Sequence, residues 1–265
     1  MSDKIISKSG ERFRAIFWGF TAIIGFLILW QVLVISTDIG KLIPAPIEVL
    51  KFFFKSIYKP VGKYPIQIHA LVSLRRVMVG YMLGIVLGTT AGIAMGVSKI
   101  FSAIFKPIFE MLRPIPTIAW IPLSILWFGV GELSKYFIIF ISTFVILTLN
   151  SFAGVKQTDP ILVGAAKMLG AKDSQIFSKV ILPSCVPNIF AGMQTALSAS
   201  WMSVIAAEMI KSSEGVGWMI TAGQETANTV QILAGMVAIA VMGYLMATIM
   251  RMAEGRLLAW NVRKT

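Results

Sequence analysis

Six long apolar runs limit what this chain can fold into more than any other feature of its sequence. We place them at residues 15–37, 77–98, 114–131, 136–155, 186–208 and 227–250, and the only charge that they contain is Glu208 at the end of the fifth. A helix needs about 17 to 25 such residues to cross the hydrocarbon core of a bilayer. The runs are continuously apolar rather than alternating, which indicates helices and not the strands of a membrane barrel.

The overall composition supports the same fold class. Hydrophobic residues make up 57% of the chain and charged residues 14%, whereas soluble domains carry about a quarter of charged residues. We therefore predict an all-α, polytopic membrane protein in which residues 1–265 form one transmembrane domain with six helices. The first run lacks a small-residue cleavage site after it, so we interpret it as an anchor and not as a secretory signal.

The distribution of basic residues predicts the orientation. Six spans put both termini on one side, and placing that side in the cytoplasm puts most of the 24 basic residues there, as the positive-inside rule requires. The basic residues nearest the termini are Lys4, Lys8, Arg12, Arg263 and Lys264. This topology explains the positive charge better than a nucleic-acid partner does, so lipid is the expected surrounding and no nucleic acid is predicted.

The segment between the fourth and fifth runs, residues 159–183, reads DPILVGAAKMLGAKDSQIFSKVILP. Asp159 is suited to cap a helix whose first residue is Pro160, because proline has no N–H that would be left unpaired there. Gly170 follows after about three turns and is expected to end this helix with a positive φ. A second short helix is predicted over residues 172–181, ending before the closing proline.

This segment resembles the cytoplasmic "EAA" loop of permease subunits of binding-protein-dependent ABC importers. The family pattern is EAA, three residues, G, and then a hydrophobic residue before x-L-P, and Gly164 stands here where the family has its glutamate. The resemblance implies that the loop is a coupling helix that sits in a groove of the ATPase subunit. The residues that it assigns to ATPase coupling are Gly164, Ala165, Ala166, Leu169, Gly170, Ala171, Asp173, Phe177, Val180, Leu182 and Pro183.

Three further segments are similar to the nitrate, sulfonate and taurine class of this family: SLRRVMVGYMLG at 73–84, LRPIPTIAWIPLSILWFGVGELSK at 112–135 and WMSVIAAEM at 201–209. The likeness covers about residues 44 to 260. It implies a subunit of the cytoplasmic (inner) membrane that moves a small anionic solute by alternating access. The implied partners are a second copy of the chain, two ATPase subunits that bind ATP-Mg, and an extracytoplasmic solute-binding protein.

Two segments outside the runs are expected on the outer side. Residues 46–58 are predicted to form a helix along the membrane surface, with apolar side chains on one face and lysines elsewhere. Residues 211–225 are predicted to form a turn followed by an amphipathic segment. Both resemble family elements that face the binding protein, and a plain connector is the alternative for residues 46–58.

The sequence contains no G-x-x-x-x-G-K-[ST] motif, so ATP hydrolysis is assigned to another chain and no enzymatic activity, cofactor or metal is predicted for this one. The single histidine, His69, precedes the second run and is expected to be solvated or interfacial. Chemistry or proton-driven carriage inside a membrane needs ionisable groups at depth. The nearest candidate is Glu208, for which a structural role and a gate role both stay open.

Glycines recur at every fourth residue of the second run, at Gly80, Gly84, Gly88, Gly92 and Gly96. Successive glycines advance by about 40° around a helix, so they form a slowly winding groove that lets another helix approach closely. That helix belongs either to the same chain or to a second copy.

The third run contains three prolines, which free backbone carbonyls and break helices. Broken backbone at membrane depth is tolerated only against protein or a water-filled cavity, so this run is expected inside the bundle. For each candidate residue of a translocation path or gate, plain helix packing is the alternative. The candidates are Thr117, Trp120, Ser124, Trp127, Asn150, Ser200, Trp201, Ser203 and Glu208.

Two other functions remain as alternatives. A secondary carrier working without an ATPase predicts transport by the chain alone and buried ionisable residues. A membrane scaffold predicts no solute flux and gives no reason for the proline-broken run.

Overall fold

The computed structural model describes residues 2–257, excepting the side chains of residues 2–13, 15, 16, 39 and 41, and it is built of helices. These are α1 Ser2–Ser36, α2 Pro46–Tyr58, α3 Ile66–Val97, α4 Lys99–Leu112, α5 Ile121–Phe128, α6 Glu132–Lys156, α7 Pro160–Met168, α8 Asp173–Ile176, α9 Leu182–Ile210, α10 Val216–Glu225 and α11 Thr229–Leu257. Short 3₁₀ turns cover Asp38–Lys41 and Thr117–Trp120. The all-α prediction is confirmed.

Five helices in the described part of the chain are long and apolar enough to cross a membrane, and a sharply bent pair makes six if it counts as one span. The predicted runs other than the third each overlap one long helix. The terminal basic residues used to predict the orientation lie outside the described side chains. They are Lys4, Lys8, Arg12, Arg263 and Lys264.

Helices α3 and α6 form the centre of the bundle and run parallel to each other. Gly80 of α3 lies against Ile139 near the start of α6, and Gly96 lies against Val155 near its end. A Cβ on Gly80 would come within 2.6 Å of the Ile139 Cβ. The five glycines of the predicted groove, Gly80, Gly84, Gly88, Gly92 and Gly96, all face α6. The groove is therefore filled by a helix of the same chain.

Replacing Gly88 by leucine is expected to lower stability. A Cβ there would lie 2.8 Å from the Phe144 carbonyl oxygen and 3.0 Å from the Leu147 Cβ, and forcing extra methylenes into a filled site typically costs about 1 to 3 kcal/mol. Thermal unfolding in detergent measures the loss. Gly25→Leu is the matched control, because nothing lies within 4 Å of a Cβ at Gly25 in α1. Equal midpoints for the two variants would show that the close approach is unimportant.

Helix α9 packs antiparallel on α6, and α11 packs antiparallel on α9. The Thr143 and Ser200 hydroxyls are 2.6 Å apart across the first interface. Gln194 in the middle of α9 donates to Glu254 near the end of α11. Aliphatic and aromatic residues of α3, α6, α9 and α11 form the main core: Val77, Tyr81, Ile139, Leu147, Ala196, Leu197, Trp201, Val204 and Met246.

Residues 114–131, predicted to form the third span, are not covered by one continuous helix. Helix α4 and the segment Thr117–Phe128 meet at an angle of 91°. Pro114 and Pro116 cause the break, because neither has an N–H to continue the hydrogen bonds of a helix. Since α3 and α6 are parallel, the chain between them must return from one end of the bundle to the other, and the bent pair makes that return.

Within a single chain this run does not lie inside the bundle, contrary to the expectation. Its helix α5 packs against α6 on one side only. Leu126 remains 80% exposed and Trp127 55% exposed.

The second helix of the segment after α6 does not end before Pro183, contrary to the prediction. Helix α8, a π-helical turn over Phe177–Ile181 and α9 follow one another without a break, so that one helical stretch runs from Asp173 to Ile210. Proline is tolerated in the first turn of a helix, where its missing N–H is not needed. Pro183 takes that position in α9, directly after the π turn.

Candidate functional site

Helix α7 stands by itself between two long membrane helices and has well-defined ends. An Oδ1 atom of Asp159 accepts a hydrogen bond of 2.8 Å from the Ile161 N–H, so the predicted cap is present. Pro160 is the first residue of the helix.

The end of α7 is a Schellman motif. The Gly170 N–H donates to the Lys167 carbonyl at 2.9 Å, and the Ala171 N–H donates to the Ala166 carbonyl at 3.0 Å, the paired bonds that define this motif. Gly170 has φ +78°, so the predicted positive φ is confirmed. A residue with a branched Cβ is strongly disfavoured in this conformation. The turn therefore fixes the direction in which α7 leaves the bundle.

The surface of α7 is apolar and uncovered. Leu169 is 88% exposed, Met168 86% and Ile161 77%, and the helix packs mainly on α8 and the π turn. Leu169 was among the predicted coupling residues, whereas Met168 and Ile161 were missed. The sequence signal for both was their apolar character on a short helix that lies outside the six predicted membrane spans.

The other predicted coupling residues lie on or next to this surface. Ala165, Ala166, Ala171, Phe177 and Val180 are partly buried, and Gly170, Asp173, Leu182 and Pro183 are exposed. Gly164 is partly buried, yet nothing lies within 4 Å of a Cβ placed on it. The glutamate that relatives carry at this position would have room for its first carbon here.

A second feature is a largely apolar cavity of about 520 Å³ beside the break between α4 and α5. It brings together three of the predicted path residues, Thr117, Trp120 and Trp127, with aromatic side chains of α6. Sequence reasoning missed those aromatics, although their helical spacing is visible; they are Phe137, Phe140 and Phe144.

The remaining polar path candidates of the membrane helices are engaged in packing. Ser124 is buried and donates to a backbone carbonyl of its own turn. Asn150 and Ser203 donate to carbonyls one turn earlier in their own helices. Ser200 pairs with a hydroxyl of α6, and the Trp201 indole N–H donates to a carbonyl of α11 at 3.1 Å. None of these five lines the aromatic cavity.

A third feature is a buried ion-pair network at the end of the bundle that carries α10. The Arg76 guanidinium donates to Glu208 Oε1 through Nη1 at 2.7 Å and to Glu132 through Nε and Nη2 at 2.9 and 2.6 Å. Arg76 is 1% exposed and Glu208 is fully buried. The network joins α3, α6 and α9, and removing one partner of such a pair leaves an uncompensated buried charge.

The Glu208 carboxylate also holds the start of α10. It accepts hydrogen bonds from the Ser73 hydroxyl at 2.8 Å and from the Gly217 N–H at 3.0 Å. The first N–H groups of a helix are unpaired and carry partial positive charge, so a carboxylate there is stabilising. Gly215, with φ +112°, allows this approach, because a Cβ on it would overlap the Glu208 carboxylate. These contacts supply the structural role that the sequence left open.

His69 is fully buried, so the expectation of a solvated or interfacial histidine is wrong. Its Nδ1 accepts from the Gly215 N–H at 3.1 Å, which leaves Nε2 to donate to the Val61 carbonyl at 3.0 Å. Its ring stacks on Trp218 with centroids 5.1 Å apart. The loop at Val61 and the start of α10 are thus tied to α3 through this ring.

The expectation that charges stay off the membrane helices needs correction as well. Helices α3 and α6 begin earlier than the apolar runs, so that Arg76, Glu132 and Lys135 lie on them. The Lys135 ammonium donates to Glu132 and to the Ser212 hydroxyl, each at 3.2 Å. An open polar cavity of about 670 Å³ lies over this cluster, and Glu208 does not line it.

Comparisons with known proteins agree with this architecture. Residues 80–258 match the family model described as the inner membrane component of binding-protein-dependent transport systems. The chain is 32% identical over 234 residues to the taurine transport system permease protein of Escherichia coli (strain K12), covering 88% of this chain and 85% of that protein. It is 34% identical over 237 residues to an aliphatic sulfonates transport permease of Bacillus subtilis (strain 168), covering 88% and 83%.

Among solved structures, the fold is similar to that of a chain of the methionine ABC transporter MetNI in an inward facing conformation. The TM-score is 0.63 with 18% identity, and the alignment covers 75% of this chain and 97% of that one. At this identity the likeness concerns the fold alone.

Proposed function

Because this chain belongs to the family of inner membrane components of binding-protein-dependent transport systems, we propose that it is the membrane subunit of an ABC importer for a small anionic solute. Its apolar helices and its family make it a multi-pass protein of the inner membrane. ATP is hydrolysed on a separate subunit, and this chain has no catalytic residue of its own.

The observation that carries the proposal is the exposed apolar face of α7. A helix that caps both of its ends, lies outside the long membrane helices and exposes Met168 and Leu169 almost fully is suited to dock into a groove of another protein. An ATPase subunit is the partner proposed here. The Schellman turn at Gly170 holds this face rigidly, so that movement of the ATPase is passed to the bundle as a rigid-body push.

Two copies of the chain are proposed to form the path, each with one ATPase on its α7. The aromatic cavity beside the broken span, lined by Thr117, Trp120 and Trp127, would lie along this path, because broken backbone at membrane depth has to face protein or water. Approach of the two ATPases would rock the bundles between inward-open and outward-open states. The α7 end of the bundle, and with it both termini, is placed in the cytoplasm.

The solute is proposed to be a sulfonate, taurine or nitrate-like anion, since the taurine and sulfonate permeases align over most of this chain. An extracytoplasmic binding protein would deliver it to the α10 end, where α2 and α10 form the outer surface. Buried charges on α3 and α9 are a feature that the secondary-carrier alternative also predicted. Their full pairing at one end of the bundle fits a structural role better than a proton relay.

We expect the purified chain to show no ATP hydrolysis, because its sequence has no phosphate-binding loop.

Proteoliposomes that contain the chain, its ATPase subunit and the external binding protein should take up labelled taurine or sulfonate only with ATP inside. An ATPase variant without its phosphate-binding lysine is the control and should abolish uptake. Uptake by the chain alone that collapses with a proton ionophore would favour the secondary carrier, and no flux under any condition would favour the scaffold.

A further inference from the structure

Three lysines surround a cavity of about 620 Å³ at the end of the bundle that carries α7. The cavity lies between the end of α3, helix α4 and the last residue of α6. Lys99 and Lys106 reach it from α4, and Lys156 reaches it from α6. The ends of α3 and α6 meet here because Gly96 packs against Val155.

The positive charge of this cavity is only partly offset by the residues that the structure describes. No carboxylate of a described residue forms an ion pair with any of the three lysines. Glu110 is the one acidic side chain in the described lining, and it pairs with Arg113 at 3.6 Å. The cavity therefore carries an excess of positive charge.

An aromatic ring contacts two of the ammonium groups. The Lys106 and Lys156 Nζ atoms lie 5.8 and 5.7 Å from the centroid of the Phe152 ring. Cation–π attraction of this kind orients the two groups. The arrangement suits a phosphate-type group that accepts hydrogen bonds from several ammonium donors.

The position of α4 indicates that such an anion is the phosphate of a lipid and not a free ion. One face of this helix is apolar and exposed, with Ile100 76%, Ile104 66% and Ile108 53% exposed. Lys99 and Lys106 lie on another face, beside the ends of two membrane helices. A helix with these two faces lies in the membrane interface with its apolar side among acyl chains, and its lysines are then at the depth of the lipid phosphates.

We propose that this cavity binds the headgroup of an anionic phospholipid, whose phosphate contacts Lys99, Lys106 and Lys156 while its acyl chains lie along the apolar face of α4. Basic pockets at the ends of membrane helices bind such headgroups in general. This site contains no residue of α7, and it stands whether or not the chain acts as an importer.

Native mass spectrometry of the full chain in detergent doped with phosphatidylglycerol or phosphatidylcholine tests the site. Each lysine near a membrane surface is worth about fivefold in affinity. The variant Lys99→Gln/Lys106→Gln/Lys156→Gln should bind phosphatidylglycerol of order a hundredfold more weakly, with phosphatidylcholine binding unchanged. The variant with arginine at all three positions should retain binding, which excludes a general loss of fold.

The matched control is Lys51→Gln/Lys55→Gln/Lys59→Gln, which removes the same charge from exposed positions of α2 and its C-cap at the other end of the bundle. It should bind phosphatidylglycerol like the native chain. Equal binding by the two glutamine variants would overturn the site. Displacement of the lipid by inorganic phosphate, but not by chloride at the same ionic strength, would assign the cavity to a soluble anion instead. Loss of a copurified ATPase with unchanged lipid binding would assign it to protein docking.

Discussion

Replacement of Arg76 by methionine should destabilise the folded chain by about 3 to 5 kcal/mol, because it leaves the fully buried Glu208 carboxylate without its cation. Methionine keeps most of the volume, so the loss reports on charge more than on packing. The effect should appear as a much lower unfolding temperature in detergent and a lower amount of chain in the membrane. Because Glu208 also holds an N–H group in the first turn of α10, the end of the bundle that carries α10 should loosen first.

Arg75 provides the matched control for this prediction. It is the next residue of α3, its side chain is 59% exposed, and its guanidinium lies 3.6 Å from Glu132. An exposed ion pair of this kind contributes about 1 kcal/mol or less, so Arg75→Met should be close to native. The double variant Arg76→Met/Glu208→Gln should lose less than the sum of its single substitutions, since the pair is coupled. Equal stability of the Arg75 and Arg76 variants would show that the buried pair does not hold the fold.

The buried network was not predictable from hydropathy, and the reason is physical. A search for charge-free runs ends a span where the first charge appears, so Arg76 and Glu132 were placed in loops beyond the membrane. In the structure their helices continue past those charges, because each charge finds a partner within the protein. The cue in the sequence was that Arg76 directly precedes the second run and Glu208 ends the fifth, on the same side of the predicted topology.

The prediction of the third span did not locate the break between its two pieces, for a related reason. Apolar composition over residues 114–131 predicts the location of a membrane segment but not its continuity, and the prolines were interpreted as a kink inside that segment. Pro114 and Pro116 instead separate it from α4, whose amphipathic pattern was not assigned to a span. The 91° bend between the two pieces depends on the parallel packing of α3 and α6, which is a long-range contact.

Local patterns were the part of the structure that could be predicted well. The four-residue glycine spacing of α3 indicated a close helix contact, although the partner helix had to come from the structure. The cap at Asp159, the first position of Pro160 and the positive φ of Gly170 each depend on short-range backbone chemistry, and each is present. The sequence predicted the extent of the helices less well. Pro183 was expected to follow the end of a helix, whereas in the structure it lies in the first turn of α9.

Substituting Gly170 by valine should uncouple the chain from the ATPase subunit that we propose as its partner. Valine at φ +78° carries a strain of about 1 to 3 kcal/mol, which the chain relieves by opening the Schellman turn and moving α7. Met168 and Leu169 would then be misplaced, while the helices of the bundle keep their packing. The variant should insert into the membrane in native amounts, yet recover far less ATPase per chain on copurification and lose solute uptake in proteoliposomes in proportion.

Gly129→Val separates this effect from general strain. Gly129 has φ +74° and ψ 179°, a conformation essentially confined to glycine, and it lies at the opposite end of the bundle, so valine there costs at least as much but leaves α7 untouched. It should keep the ATPase. Gly170→Asn should also keep most of it, because asparagine adopts the left-handed conformation more readily than branched residues do. If Gly170→Val and Gly129→Val recover equal amounts of ATPase, α7 is an ordinary connector, and the push that drives this bundle enters elsewhere.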